Sequence, residues 1–256
     1  MNNALIWYTW FVWSNILSQI EFQDLYNSKN INEICNKEYD LIICAWVKAV
    51  KWWANKNPEE DLDWINKLIE NLKTIKTKKF VLISTVDIYP NPFEVDEDFD
   101  FRLIDQSKYH PYWKNRLYLE EFIKNNFENY HIIRLPWLFW NNIKKNIIYD
   151  LLNDNQINNI IPNFKLQYYY LNNIWNDIIK VINNNIKVIN FNSEPIESKD
   201  IIKLFWNIQV WENSNNPIYY NYYTKHWSFF SSKENYMYSK ENTLKYIKTF
   251  IKQYKK

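Results

Sequence analysis

Residues 4–17 read ALIWYTWFVWSNIL, an apolar run that ends in three tryptophans, Trp7, Trp10 and Trp13, spaced by three. How these are read decides the fold. On one helix, the spacing makes a single aromatic stripe. As strand, turn and helix, the same positions fall where a phosphate-binding loop needs bare backbone. Residues 3–7 have the apolar character of a buried strand, and 11–20 that of a helix.

Composition bears on the choice. The chain has 256 residues, 14 tryptophans and no glycine. Ordinary usage of about 7% predicts roughly 18 glycines at this length. Glycine is the residue for left-handed backbone and for close backbone approach. The deficit of one residue and the excess of the other are of similar size. Asn, Ile, Lys, Tyr and Phe are abundant, as in an AT-rich gene.

Other bounds are simpler. The charge is near balance, with 31 basic and 29 acidic residues and a net +2. There is no like-charged block of the kind that binds nucleic acid, and the terminal Lys252, Lys255 and Lys256 read as a solvated helix end. Cys35 and Cys44 make no disulfide framework and no metal-ligand spacing, nor do His110, His131 and His226, so no metal is expected. No apolar run reaches membrane length, and no leader pattern opens the chain. The expectation is a cytoplasmic protein with no membrane and no nucleic-acid partner, and with room for a homodimer.

Strand-like segments alternate with helix-like ones along the chain. Strands are expected at 3–7, 21–26, 39–45, 79–84, 130–135 and 186–191. Helices are expected at 11–20, 58–75, 111–126, 143–153, 172–184, 198–206 and 239–254. Pro58 with Glu59, Glu60 and Asp61 reads as an acidic first helical turn. Residues 90–110 read as a polar loop able to lie over a site. Alternation of this kind predicts an α/β fold, a Rossmann-like doubly wound parallel sheet. The expected organisation is a core over 1–165, with 166–195 adding a strand and helix. A small region would follow over 196–256, which the family resemblance of the next motifs implies to be substrate-binding beside an NAD(P)-binding core.

Writing glycine at 7, 10 and 13 gives A-L-I-G-Y-T-G-F-V-G-S. With that change the segment resembles the strand–turn–helix phosphate loop of the extended short-chain dehydrogenase/reductase superfamily, in its NAD(P)-dependent epimerase/dehydratase family. The same substitution improves other segments. "ICAWVKAV" gains a small turn at Trp46, and "HPYWKNR" becomes P-Y-G-K-N-R. "RLPWLFW" becomes R-L-P-G-L-F-G at Trp137 and Trp140, and Trp206 and Trp211 fall where loops favour glycine. Trp175 reads as a genuine helix-face tryptophan, and Trp52 and Trp53 open a helix-like segment. Trp64 and Trp227 fit either reading. Overpacking costs about 1–3 kcal/mol per site, against a total stability of about 5–15 kcal/mol. Nine such sites are hard to carry, which points to a UGA codon read as glycine in the cell and written here as tryptophan. The competing account is an aromatic-rich interaction domain with no cofactor.

The resemblance implies a chemistry. In this superfamily a Tyr phenol exchanges a proton with substrate, a Ser or Thr hydroxyl orients the substrate oxygen, and a Lys lowers the Tyr pKa and holds the nicotinamide ribose. In "LISTVDIYP", Thr85 takes the hydroxyl position, and Tyr112 in "PYWKNR" takes that of the phenol. The fourth residue after Tyr112 is Arg116, where the family has Lys. Arg keeps the charge but has a different hydrogen-bonding geometry, and Lys114 lies on another helix face. NAD or NADP is implied as cofactor, held by Trp7, Thr9, Trp10, Phe11, Val12 and Trp13, by Ala45, Trp46 and Val47, and by Ser84 and Pro136. Asn27, Ser28 and Lys29 would lie at the adenosine ribose, where Lys29 leans the reading towards NADP because Asp24 sits within a strand. The implied function is hydride transfer on a nucleotide sugar or related carbonyl or hydroxyl substrate, by an oxidoreductase, epimerase or dehydratase. The alternative is a non-catalytic NAD(P)-binding sensor or scaffold of the same fold.

Overall fold

The computed structural model describes residues 2–7, 10–45, 51–105, 107, 109–205, 214–231 and 233–254, and for Trp7 and Trp10 the backbone. Thr9, Trp46, Val47, Trp206 and Trp211 therefore lie outside the described residues.

Short apolar runs become the strands of a six-stranded sheet. In chain order these are β1 (Asn3–Trp7), β2 (Asp24–Tyr26), β3 (Leu41–Ala45), β4 (Phe80–Thr85), β5 (Tyr130–Leu135) and β6 (Val188–Asn190). The spatial order is β2-β1-β3-β4-β5-β6. Ile6 is in parallel register with Tyr26 on one side and Cys44 on the other, and Cys44 with Leu82. All five residues of β3 are buried, as a central parallel strand requires. The order reverses direction between β1 and β3, where Trp7 and Ala45 are register partners. Doubly wound sheets bind ligands beyond the carboxyl ends of their strands at such a switch point.

The helices around the sheet are α1 (Trp10–Leu17), α2 (Lys51–Lys56), α3 (Pro58–Leu72) and α4 (Pro111–Asn126). On α3, Ile65, Leu68, Ile69 and Leu72 form a buried stripe at helical spacing. They share one core with Ala4, Ile6, Ile42, Cys44, Phe80 and Leu82 of the sheet and with Leu119 and Ile123 of α4. Truncating Leu68, which is fully buried, costs about 2–5 kcal/mol by cavity formation.

The chain divides into two compact units. The first holds residues 1–90, 99–134 and 178–189, and the second 91–98, 135–177 and 190–256. This differs from the boundaries read from sequence, since residues 135–165 cluster with the second unit. The reason is a strand pairing that the sequence does not announce. Trp137–Phe139 runs parallel to Tyr168–Tyr170, with Phe139 opposite Tyr170. Within that unit Tyr170 stacks on Phe139 at 5.3 Å and on Tyr246 at 4.7 Å. Asp177 accepts hydrogen bonds from the hydroxyls of Tyr169 (2.8 Å) and Tyr238 (2.5 Å). The 90–110 loop is also divided: Phe99 and Phe101 pack on Tyr89 in the first unit, both at 5.6 Å.

Left-handed backbone falls mainly to asparagine. Asn36, Asn142, Asn146, Asn185 and Asn235 have positive φ, with Glu94, Asp154 and Gln156. Trp13 and Trp113 are helical and Trp137 is in a strand. Glycine at those three positions would therefore provide space rather than a permitted φ.

Candidate active site

The site grows from the end of β4 and the start of α4. Thr85 ends β4 and caps the following turn, its Oγ1 accepting from the Asp87 amide at 3.1 Å. Pro111 opens α4 at a position where its missing N–H costs nothing. The next amide, that of Tyr112, donates to Asn55 Oδ1 of α2 at 3.1 Å. Tyr112, Asn115, Arg116, Leu119, Glu120 and Ile123 then form the buried face of α4. Two of these are charged and four residues apart, yet each finds its partner on another element.

Arg116 is one. Its Nη1 and Nη2 donate to Asp61 Oδ2 and Oδ1 of α3 at 2.6 and 2.9 Å. Both side chains are buried, 1% and 4% exposed. The guanidinium carbon lies 4.2 Å from the centroid of the Tyr112 ring. Glu120 is the other. It accepts from Arg134 of β5 through Nε (3.2 Å) and Nη2 (2.7 Å), while Arg134 Nη1 donates to the Tyr89 hydroxyl at 2.7 Å.

Tyr112 is 3% exposed. Burial pushes its phenol above the ordinary value. The Arg116 charge pulls it back, the nearby Asp87 carboxylate pushes it up, and hydrogen bonds from Arg116 and Thr85 lower it again. The balance leaves a protonated phenol beside a hydroxyl and a cation, a group able to donate a proton. Lys51 of α2 pairs with Asp87 at 3.5 Å and lies 5.2 Å from the Trp113 ring.

Thr85, Tyr112 and Arg116, chosen from sequence, are therefore brought together. Ser84 is not with them: its hydroxyl donates to Glu120 Oε1 at 2.6 Å. Lys114 is exposed on another face of α4, beside Leu62, Asn66 and Tyr118. Asp61 was missed as a functional residue. It lies in the acidic first turn of α3 that the sequence predicts, and it is 3% exposed. One sign was in the sequence, since Asp61 precedes Ile65 by four and so continues the apolar stripe.

At the nucleotide end, β1 and α1 are separated only by residues 8 and 9. A helix that starts just after a strand offers its N-terminus to a phosphate. Phe11, Val12 and Trp13 are half-buried in the first turns of α1, and Ala45 is buried at the end of β3. The order of strand and helix suits a pyrophosphate, whereas an indole at Trp13 takes up space that the close approach of such a loop needs. Beyond β2, Asn27 Oδ1 accepts from the Lys29 amide at 2.8 Å, forming a turn that leaves Lys29 exposed. Asp24 is already occupied, accepting from the hydroxyls of Tyr39 (2.5 Å) and Tyr26 (3.0 Å) and from Lys37 Nζ (3.3 Å). Pro136 lies in the second unit. Among the described residues no group of three His, Cys, Asp or Glu could hold a metal ion, and no helix is long and apolar enough to cross a membrane.

Sheet order and crossovers together define a doubly wound α/β fold. No protein-family model and no curated protein matches the chain. Solved structures do match, at the level of fold. A dTDP-4-dehydrorhamnose reductase from Clostridium acetobutylicum is 12% identical with a TM-score of 0.71, over 99% of this chain and 100% of that one. One from Bacillus anthracis, in complex with NADP, is 14% identical with a TM-score of 0.71, over 99% of each chain. A UDP-N-acetylglucosamine 4-epimerase from Methanobrevibacter ruminantium, bound to UDP-N-acetylmuramic acid, is 15% identical with a TM-score of 0.66, over 98% and 97%. These are reductases and epimerases of the kind that the motif resemblance implies.

Proposed function

We propose that the chain is an NAD(P)-dependent oxidoreductase or epimerase/dehydratase acting on a nucleotide-linked sugar, with the reductase direction favoured. The observation that carries this is the cluster of Thr85, Tyr112 and Arg116 at the end of β4. The structural neighbours named for nucleotide-sugar substrates support it. When bound, the nicotinamide supplies or accepts the hydride. The chain's own residues do the rest. The Thr85 hydroxyl orients the substrate oxygen, and the protonated Tyr112 phenol gives it a proton as a carbonyl becomes an alcohol. The Arg116 cation stabilises the phenolate left behind. With Asp24 occupied by Tyr26, Tyr39 and Lys37, the ribose would fall to Asn27, Ser28 and Lys29, which leans the reading to NADP.

The nucleotide end requires glycine. We propose that positions 7, 10, 13, 46, 113, 137, 140, 206 and 211 carry glycine in the cell, through UGA read as glycine. Trp140 is accommodated as tryptophan within the described core. It is buried and packs edge-on to Tyr170 at 4.9 Å. Codons and peptide masses from the native source test the set, and UGG at 7, 10 and 13 would end the idea. A small substrate region within the second unit, a cytoplasmic location and a homodimer belong to the same proposal, the last read by sedimentation.

The functional test uses the glycine form with NADH or NADPH and dTDP- and UDP-linked 4-keto sugars, with Tyr112→Phe as control. Turnover that needs Tyr112 supports the enzyme. Cofactor binding without turnover makes the protein a sensor or scaffold. No cofactor binding returns the aromatic-rich interaction domain.

A further inference from the structure

The proposed family chemistry gives the cation after the tyrosine two duties, lowering the phenol pKa and holding the nicotinamide ribose. In this chain the geometry bears on the first. Both terminal nitrogens of Arg116 donate to Asp61, at 2.6 and 2.9 Å. The same carboxylate accepts from Asn115 Nδ2 at 2.8 Å. The flat fork of a guanidinium matches a carboxylate in two parallel bonds, which fixes its plane as well as its position. That plane is set beside the Tyr112 ring, 4.2 Å from its centroid.

We propose that Asp61 is a positioning residue of this site, whose carboxylate holds the Arg116 guanidinium on the Tyr112 ring. The inference rests on the reading of Tyr112 as the proton-transferring group and adds to it the residue that keeps its cation in place. The other charged groups near the phenol are Asp87, after β4, and Lys51 of α2, which pairs with Asp87 at 3.5 Å. Glu120 on the next turn of α4 is paired with Arg134 of β5 and hydrogen-bonded to Ser84 of β4. His110 precedes α4 and its ring packs edge-on to Trp113. The bidentate pairing of the Arg116 fork is with Asp61.

The consequence is a sign that distinguishes placement from charge. If Asp61 places Arg116, Asp61→Asn removes one fork acceptor, the guanidinium turns away and the phenol loses its cation. The Tyr112 titration then moves up, by about one pH unit or more, since a close opposite charge is worth about 1–3 units. If Asp61 acts only as a negative charge, its removal moves the titration down.

The experiment follows the ring-carbon signal of Tyr112 in the tyrosine-labelled full chain by NMR, assigned by its loss in Tyr112→Phe. An upward shift in Asp61→Asn, partly reversed in Asp61→Glu, is expected. No shift, or a downward one, overturns the proposal. Folding is checked by circular dichroism. Should Asp61→Asn not fold, the guanidinium protons of Arg116 in the unaltered chain decide. Slow rotation and protection from exchange are expected, and a freely averaging Arg116 overturns the proposal. These readouts need no turnover, so a protein that reduces no sugar can still show the Asp61 effect. An active enzyme without it leaves the functional reading standing.

Discussion

Arg116 lies with its guanidinium carbon 4.2 Å from the ring centroid of Tyr112, one turn earlier on α4, and both side chains are buried. A cation at that distance is sheltered from solvent, so it favours phenolate more strongly than a surface lysine could. It does not win outright, because burial of the phenol works against it.

The first prediction concerns the phenol itself. Tyr112→Phe keeps the ring against Arg116 and removes only the hydroxyl. Turnover of a 4-keto sugar should fall about 10²–10⁴-fold, the usual worth of a positioned acid, with cofactor affinity unchanged. Steady-state rates and a fluorescence titration of NADPH check both halves. A variant that keeps full activity would remove Tyr112 from the mechanism.

The second is the pH profile. The folded pKa of Tyr112 is raised by burial, so the group stays protonated throughout the neutral range. A reductive rate that depends on its proton should be level through neutral pH. It should decline only above the ordinary phenol value of about 10. An alkaline limb near pH 7 would assign the proton to some other group.

Beneath the site, Glu120 and Arg134 are 0% and 1% exposed. Removing one partner leaves a buried charge alone, so Glu120→Gln should cost about 3–5 kcal/mol, read from urea unfolding. Glu120→Gln with Arg134→Met should recover much of the loss. A cost below about 1 kcal/mol for the single variant would show the pair to be solvated.

His131 is buried on β5, with Nδ1 donating to the Ile186 carbonyl at 2.7 Å. Its pKa is depressed, chiefly by burial, while that hydrogen bond raises it and Lys187 and Lys79 lower it further. The unfolded chain therefore takes up its proton first as pH falls. The stability contributed by neutral His131 is present above about pH 6.5 and is lost progressively below it. Urea midpoints at pH 5 and 7.5 should differ in the native chain and differ less in His131→Phe. Equal slopes in both would assign the acid sensitivity elsewhere.

Much of the first unit was legible from local patterns. The helix at 111–126 and the strands at 3–7 and 130–135 match to the residue. Pro111 preceded by a polar loop, and apolar runs between polar ends, are signals that neighbours in the chain decide. Ends without such punctuation drifted: the helix expected at 143–153 is Ile147–Leu152, and that at 198–206 is Ser198–Ile202. The strand at Trp137–Phe139 was invisible, because its three residues gain meaning only beside Tyr168–Tyr170.

The sequence by itself determined the alternation of strand and helix behind the doubly wound sheet, which follows from periodicity and chain punctuation. The choice of Thr85, Tyr112 and Arg116 came from the family resemblance of their motifs. Only the tertiary structure decided what those residues face. Arg116 meets Asp61 across 55 residues of chain, and Ser84 meets Glu120 across 36. Such partners depend on the angle and register at which α3, α4 and β4 pack. That register is set by the whole apolar core, in which Leu68, Leu82 and Leu119 share one cluster. No stretch of neighbouring residues contains that information.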